Sequence, residues 1–116
     1  MRSAAIAALT ALLLAGSAGA STSGLRGLVV KGPITPVCRE GIPCTAPAKH
    51  TTLTFVRQGE SHSVTTGSNG RYAIQLDPGT WTVRIANARF GYRPRTAVVV
   101  AGLMRVQNFS IDTGIR

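Results

Sequence analysis

Residues 69–85 read NGRYAIQLDPGTWTVRI and alternate apolar with polar positions twice over. Tyr72, Ile74 and Leu76 alternate before the segment Asp77-Pro78-Gly79-Thr80, and Trp81, Val83 and Ile85 alternate after it. A period of two is the signature of half-buried strands, because successive side chains of a strand point to opposite faces. The same test predicts strands over residues 25–31, 51–57, 60–66, 95–101 and 105–111. Leu53 and Phe55 form the inward pair of the second of these strands. Val98 and Val100 share one face of the sixth. The residues of 60–66 are nearly all polar, as expected of an edge strand with a solvated outer face. In 105–111 the parity slips between Val106 and the pair Phe109 and Ile111, which predicts a bulge or a change of strand partner.

No segment of the mature chain has helical periodicity. Seven short strands with turn signals every 8–12 residues or so predict an all-β fold, a seven-stranded β-sandwich. Pro78-Gly79 suits the central positions of a type II turn, which splays right-twisted strands apart instead of closing a tight hairpin. The strands on either side of it should therefore diverge into opposite sheets. Residues 34–49 are rich in proline and cannot form a central strand.

The ends add an address. Arg2, the apolar run 4–14 and Ala18-Gly19-Ala20 have the layout of a secretory signal peptide. Residues 1–20 are expected to be removed, with cleavage after Ala20 and Ala18 as the second choice. The apolar run falls short of the ~20 residues a spanning helix needs. Leu14-Ala15-Gly16 is followed by Ser17 where a lipidated cysteine would stand, so release and not lipid anchoring is expected. What remains, residues 21–116, suffices for one domain with a modest core. Cys38 and Cys44 are the only cysteines, and in an exported chain they are expected to close a small loop as a disulfide. The formal net charge is +9, from 13 lysines and arginines against 4 acids. Eleven of the basic residues are arginine, a bias expected of codon usage in a GC-rich bacterial genome.

Asn69-Gly70-Arg71-Tyr72, followed by Leu76-Asp77-Pro78-Gly79-Thr80-Trp81-Thr82-Val83, resembles the "dGry…L-p-PGtYtv" signature of carboxypeptidase regulatory-like domains. Gly27-Leu28-Val29 is similar to the opening G-x-V strand of that family. The resemblance implies a prealbumin-like (transthyretin-like) sandwich, of the kind that sits beside catalytic or surface domains as a stabilising or binding unit. The ending Ile111-Asp112-Thr113-Gly114-Ile115-Arg116 resembles that of small secreted actinobacterial proteins of this type.

Candidate chemistry is sparse. Glu40, Glu60, Asp77, Asp112, His50 and His62 complete the acid and histidine inventory. Asp77 precedes Pro-Gly and is expected to hold the turn by accepting backbone N–H bonds. There is no Ser elbow and no phosphate-cradling glycine loop. The chain lacks the terminal Tyr-Arg-Gly-Ser of the transthyretin-like hydroxyisourate hydrolases. Intradiol dioxygenases hold iron with two tyrosines and two histidines, but here His50 and His62 precede Tyr72 and Tyr92, the wrong order. No catalytic residue, cofactor or metal is therefore expected.

The patch Arg89-Phe90-Gly91-Tyr92-Arg93-Pro94-Arg95 remains. Arg89, Arg93 and Arg95 interleaved with Phe90 and Tyr92 suit an anionic or stacking partner. The alternative is that Phe90 or Tyr92 plugs the end of the sandwich while the arginines stay in water. The expected function is a secreted, non-enzymatic module binding an anionic cell-envelope polymer or an acidic protein, with no specific nucleic acid and no membrane span. The other readings are a structural or assembly unit using the exposed edge 60–66, and an enzyme of unknown type.

Overall fold

A computed structural model describes residues 22–115; the expected signal segment 1–20 lies outside the described residues. Ten strands form two sheets, with no helix among the described residues. They are β1 (Gly24–Gly32), β2 (Ala46–Pro47), β3 (Thr52–Arg57), β4 (Glu60–Thr65), β5 (Arg71–Gln75), β6 (Gly79–Ile85), β7 (Tyr92–Arg93), β8 (Thr96–Val99), β9 (Met104–Val106) and β10 (Phe109–Asp112). The expected count of seven needs correction. Two strands of two residues, β2 and β7, are too short to show a period, and the expected last strand is split into β9 and β10.

The smaller sheet has the order β4-β3-β6-β8, which puts β4 at an edge as its polar composition requires. The larger sheet is built on β1. The first half of β1 pairs with β5 and runs parallel to β9. The second half pairs with β2 and runs parallel to β10, which carries β7. The parity slip after Val106 is the point where the parallel ladder is interrupted. Gln107 N–H donates to Arg26 O at 2.8 Å, and the Asn108 side-chain oxygen accepts from Leu28 N–H at 2.9 Å. Thus one side chain replaces a missing rung of the ladder. Gly27 is needed opposite this splice, because a Cβ there would run into the Gln107 carbonyl.

The turn at Pro78-Gly79 separates the sheets as anticipated. β5 belongs with β1, whereas β6 lies between β3 and β8. Gly79 has φ of 140°, in the region open to glycine. The expected role of Asp77 is corrected. Its carboxylate is exposed and faces Arg57 Nη2 at 3.9 Å, while its backbone oxygen accepts from Trp81 Nε1 at 3.0 Å. Arg57 holds the turn instead: Nη1 donates to Pro78 O at 2.7 Å, and the guanidinium lies 4.3 Å from the Trp81 ring centre.

The inward faces meet in one core. Leu53, Phe55, Trp81 and Val83 are fully buried, and Tyr72, Leu76 and Ile85 nearly so. Phe55 crosses from the smaller sheet to pack 6.3 Å from both Tyr72 and Phe109, whose rings are 5.9 Å apart. Truncating such a ring costs about 3–5 kcal/mol, so this trio ties the sheets together. Val98 and Val100 share a face, but it is the solvent face, and Ala97 and Val99 point inward. Register decides this. Ala97 pairs with Trp81, and a small residue opposite the indole leaves room for it. Cys38 and Cys44 form the expected disulfide, with Cα atoms 5.5 Å apart.

Candidate binding surface at the arginine loop

The loop leaves β6 at Ile85 and returns as β8, and both its arms are fastened to Val83. Tyr92 Oη donates to Val83 O at 2.6 Å, and Val83 N–H donates to Arg95 O at 2.8 Å. Tyr92 and Arg93 pair with Ile111 and Ser110 as β7, and Asp112 N–H donates to Gly91 O at 2.9 Å. Tyr92 is half-buried against the core, so it is the aromatic plug at this end of the sandwich. Phe90 is not. It is 56% exposed.

What supports Phe90 is the C-terminal segment. A Cβ on Gly114 would collide with the Phe90 ring, so that ring lies directly on the glycine backbone. Gly114 has φ of 81°, and its N–H donates to Asp112 Oδ1 at 2.8 Å. Arg89 places its guanidinium 5.8 Å from the Phe90 centre, and Arg95 places its own 4.9 Å from that of Tyr92. Arg89, Arg93 and Arg95 are all exposed.

Two surface hollows flank this ring, both bordered by Phe90, Ile111 and Asp112. One, of about 460 Å³, includes Tyr92, Arg93 and Arg95. The other, of about 670 Å³, includes Lys31, Lys49, His50 and Arg89. The sequence patch indicated only the first set and Arg89. Lys31, Lys49 and His50 come from distant positions, and no local signal joins them to the loop. They arrive because β1 and β10 end, β7 begins and the connection from β2 to β3 passes at the same pole.

Charge is distributed unequally between the two poles. At the far end Glu60 and Asp77 neighbour Arg57 at 3.7 and 3.9 Å, and His62 Nε2 lies 2.8 Å from Glu60 Oε2. The His62 ring stands edge-on to Trp81 at 5.6 Å. Two of the chain's four acids are thus remote from the arginine loop, while Asp112 borders both hollows, against five lysines and arginines there.

The remaining tyrosine and the two histidines lie apart from one another among the described residues. The Tyr72 hydroxyl donates to Gln107 O at 2.6 Å, and burial pushes its phenol above its ordinary value. His62 lies at the Trp81 pole and His50 at the opposite one. No three of His, Cys, Asp and Glu gather as metal ligands among the described residues. No helix of the described residues is long and apolar enough to cross a membrane. No protein-family model and no curated protein matches this sequence.

Proposed function

We propose that the chain is a secreted, non-enzymatic β-sandwich module of the carboxypeptidase regulatory-like, prealbumin-like kind, which binds an anionic partner at the cell envelope. The observation that carries this reading is the convergence of exposed Arg89, Arg93 and Arg95 with Lys31, Lys49 and His50 around the exposed ring of Phe90. Guanidinium groups pair bidentately with carboxylate or phosphate, and surface charge of one sign draws such ligands in. A disulfide in a loop and the absence of a long apolar helix among the described residues are compatible with an extracytoplasmic setting.

The test is adsorption of the processed protein to envelope polymers from its own cells at rising salt. Retention should fall as salt screens the exposed charges, and the triple variant Arg89→Ala, Arg93→Ala, Arg95→Ala should lose it at low salt. Unchanged retention of the triple variant refutes the reading. The edge position of β4 favours a second reading, addition of a partner strand to Glu60–Thr65. Strand addition depends on backbone pairing, so it would tolerate salt and the triple substitution.

A further inference from the structure

Resting on the reading just given, we propose that the ligand is a linear acidic glycan lying across Phe90, with successive anionic groups on either side of the ring. The two hollows share Phe90, Ile111 and Asp112 as a common border, yet each has cations of its own. A single anion would engage one set and leave the other in water. Their volumes, about 460 and 670 Å³, both fall in the range of about 300–1,000 Å³ that small-molecule pockets occupy. Each therefore accommodates a unit of a chain, and a chain that fills both must pass over the ring.

The ring is built for that passage. Phe90 rests on the Gly114 backbone, which is pinned by the bond from its own N–H to Asp112 Oδ1. An aromatic ring held in place before the ligand arrives loses little freedom on binding. Its exposed surface suits the C–H face of a sugar ring, an apolar patch in an otherwise polar molecule. A bare polyphosphate has no such patch and would leave the ring unused. Single-stranded nucleic acid needs successive rings on which to stack bases. Here the second ring, Tyr92, has its hydroxyl bonded to Val83 O and Arg95 against its ring. The shared chemistry of the ligand is a sugar repeat bearing carboxylate or phosphate.

Isothermal titration of the processed protein at low salt tests this. The probes are a single galacturonate, an oligogalacturonate of six units or so, a phosphate-bearing oligosaccharide of similar length, inorganic phosphate and a short oligothymidylate. At least one acidic oligosaccharide should bind about tenfold or more tighter than the single galacturonate, because linked contacts raise effective concentration. Whichever of the two binds more tightly identifies the anionic group. Phe90→Ala should weaken the oligosaccharide about tenfold and leave monomeric anions unchanged. Gly114→Ala, which displaces the ring and keeps every arginine, should do the same. Affinity independent of length, indifference to both variants, or tighter binding of oligothymidylate overturns the proposal. If monomeric anions still bind in a salt-sensitive way that requires the three arginines, the polymer inference alone has failed. If no anion binds at all, the underlying reading fails with it.

Discussion

Replacing Tyr72 with phenylalanine separates hydrogen bonding from packing at the seam of the two sheets. The ring keeps its contacts with Phe55 and Phe109, at 6.3 and 5.9 Å between centres. Only the hydroxyl is lost, and with it the 2.6 Å bond to Gln107 O. That carbonyl also lies against Gly27, at the splice where β9 gives way to β10. A net hydrogen bond is worth about 1 kcal/mol, and an acceptor left unsatisfied costs about 1–3 kcal/mol. A loss of about 2 kcal/mol is therefore expected. For a domain of this size that lowers Tm by roughly 10 °C.

The pH dependence provides a second arm. Burial raises the phenol's value in the folded state above the ordinary ~10 of the unfolded chain. The folded state thus holds this proton more tightly. Its contribution to stability is complete below about pH 10 and is lost as pH rises through the folded value. Phenylalanine has no such proton, so the gap between wild type and variant should be widest near neutrality and shrink above about pH 10. Thermal melts followed by circular dichroism from neutral to strongly alkaline pH measure both effects. A gap that stays constant above about pH 10, or a variant as stable as wild type at neutrality, refutes the assigned role of the hydroxyl.

Replacing Cys38 and Cys44 with serine should cost about 2 kcal/mol by the chain-entropy model of a short loop. The loop is exposed and outside the core, so denaturant unfolding should shift while binding by the arginine loop persists. Arg57→Ala removes the bond to Pro78 O, the stacking on Trp81 and the neighbouring carboxylates. A loss of about 1–2 kcal/mol is expected, with a shift in the emission of the chain's single tryptophan. Unaltered emission and stability would show that the Pro78-Gly79 turn holds without Arg57.

The alternation of residues 69–85 was enough to place Tyr72, Leu76, Trp81, Val83 and Ile85 in the core, and the unprimed Pro-Gly turn was enough to send its strands to different sheets. Both are local properties: side-chain parity and turn geometry depend on a few adjacent residues. The polar edge strand and the disulfide were legible for the same reason. The orientation of β8 was not, because valines occupy both its faces and only the register against β6 puts Ala97 opposite Trp81. The hold of Arg57 on the turn was equally hidden, since it acts across 21 residues of sequence.

The candidate site divides along the same line. Arg89, Phe90, Tyr92, Arg93 and Arg95 are contiguous, so their combination of cations and rings could be read directly. Which ring plugs the sandwich and which faces solvent could not be read, because Tyr92 turns inward only where β10 and Val83 offer it partners. The sequence by itself determined an all-β chain, its inward faces, its diverging turn and a basic aromatic loop. The tertiary structure alone decided that Lys31, Lys49, His50 and Gly114 join that loop. Strand pattern encodes which way a side chain points but not which distant strand lies beside it, and the pairing of β1 with both β10 and β2 brings these residues to one pole.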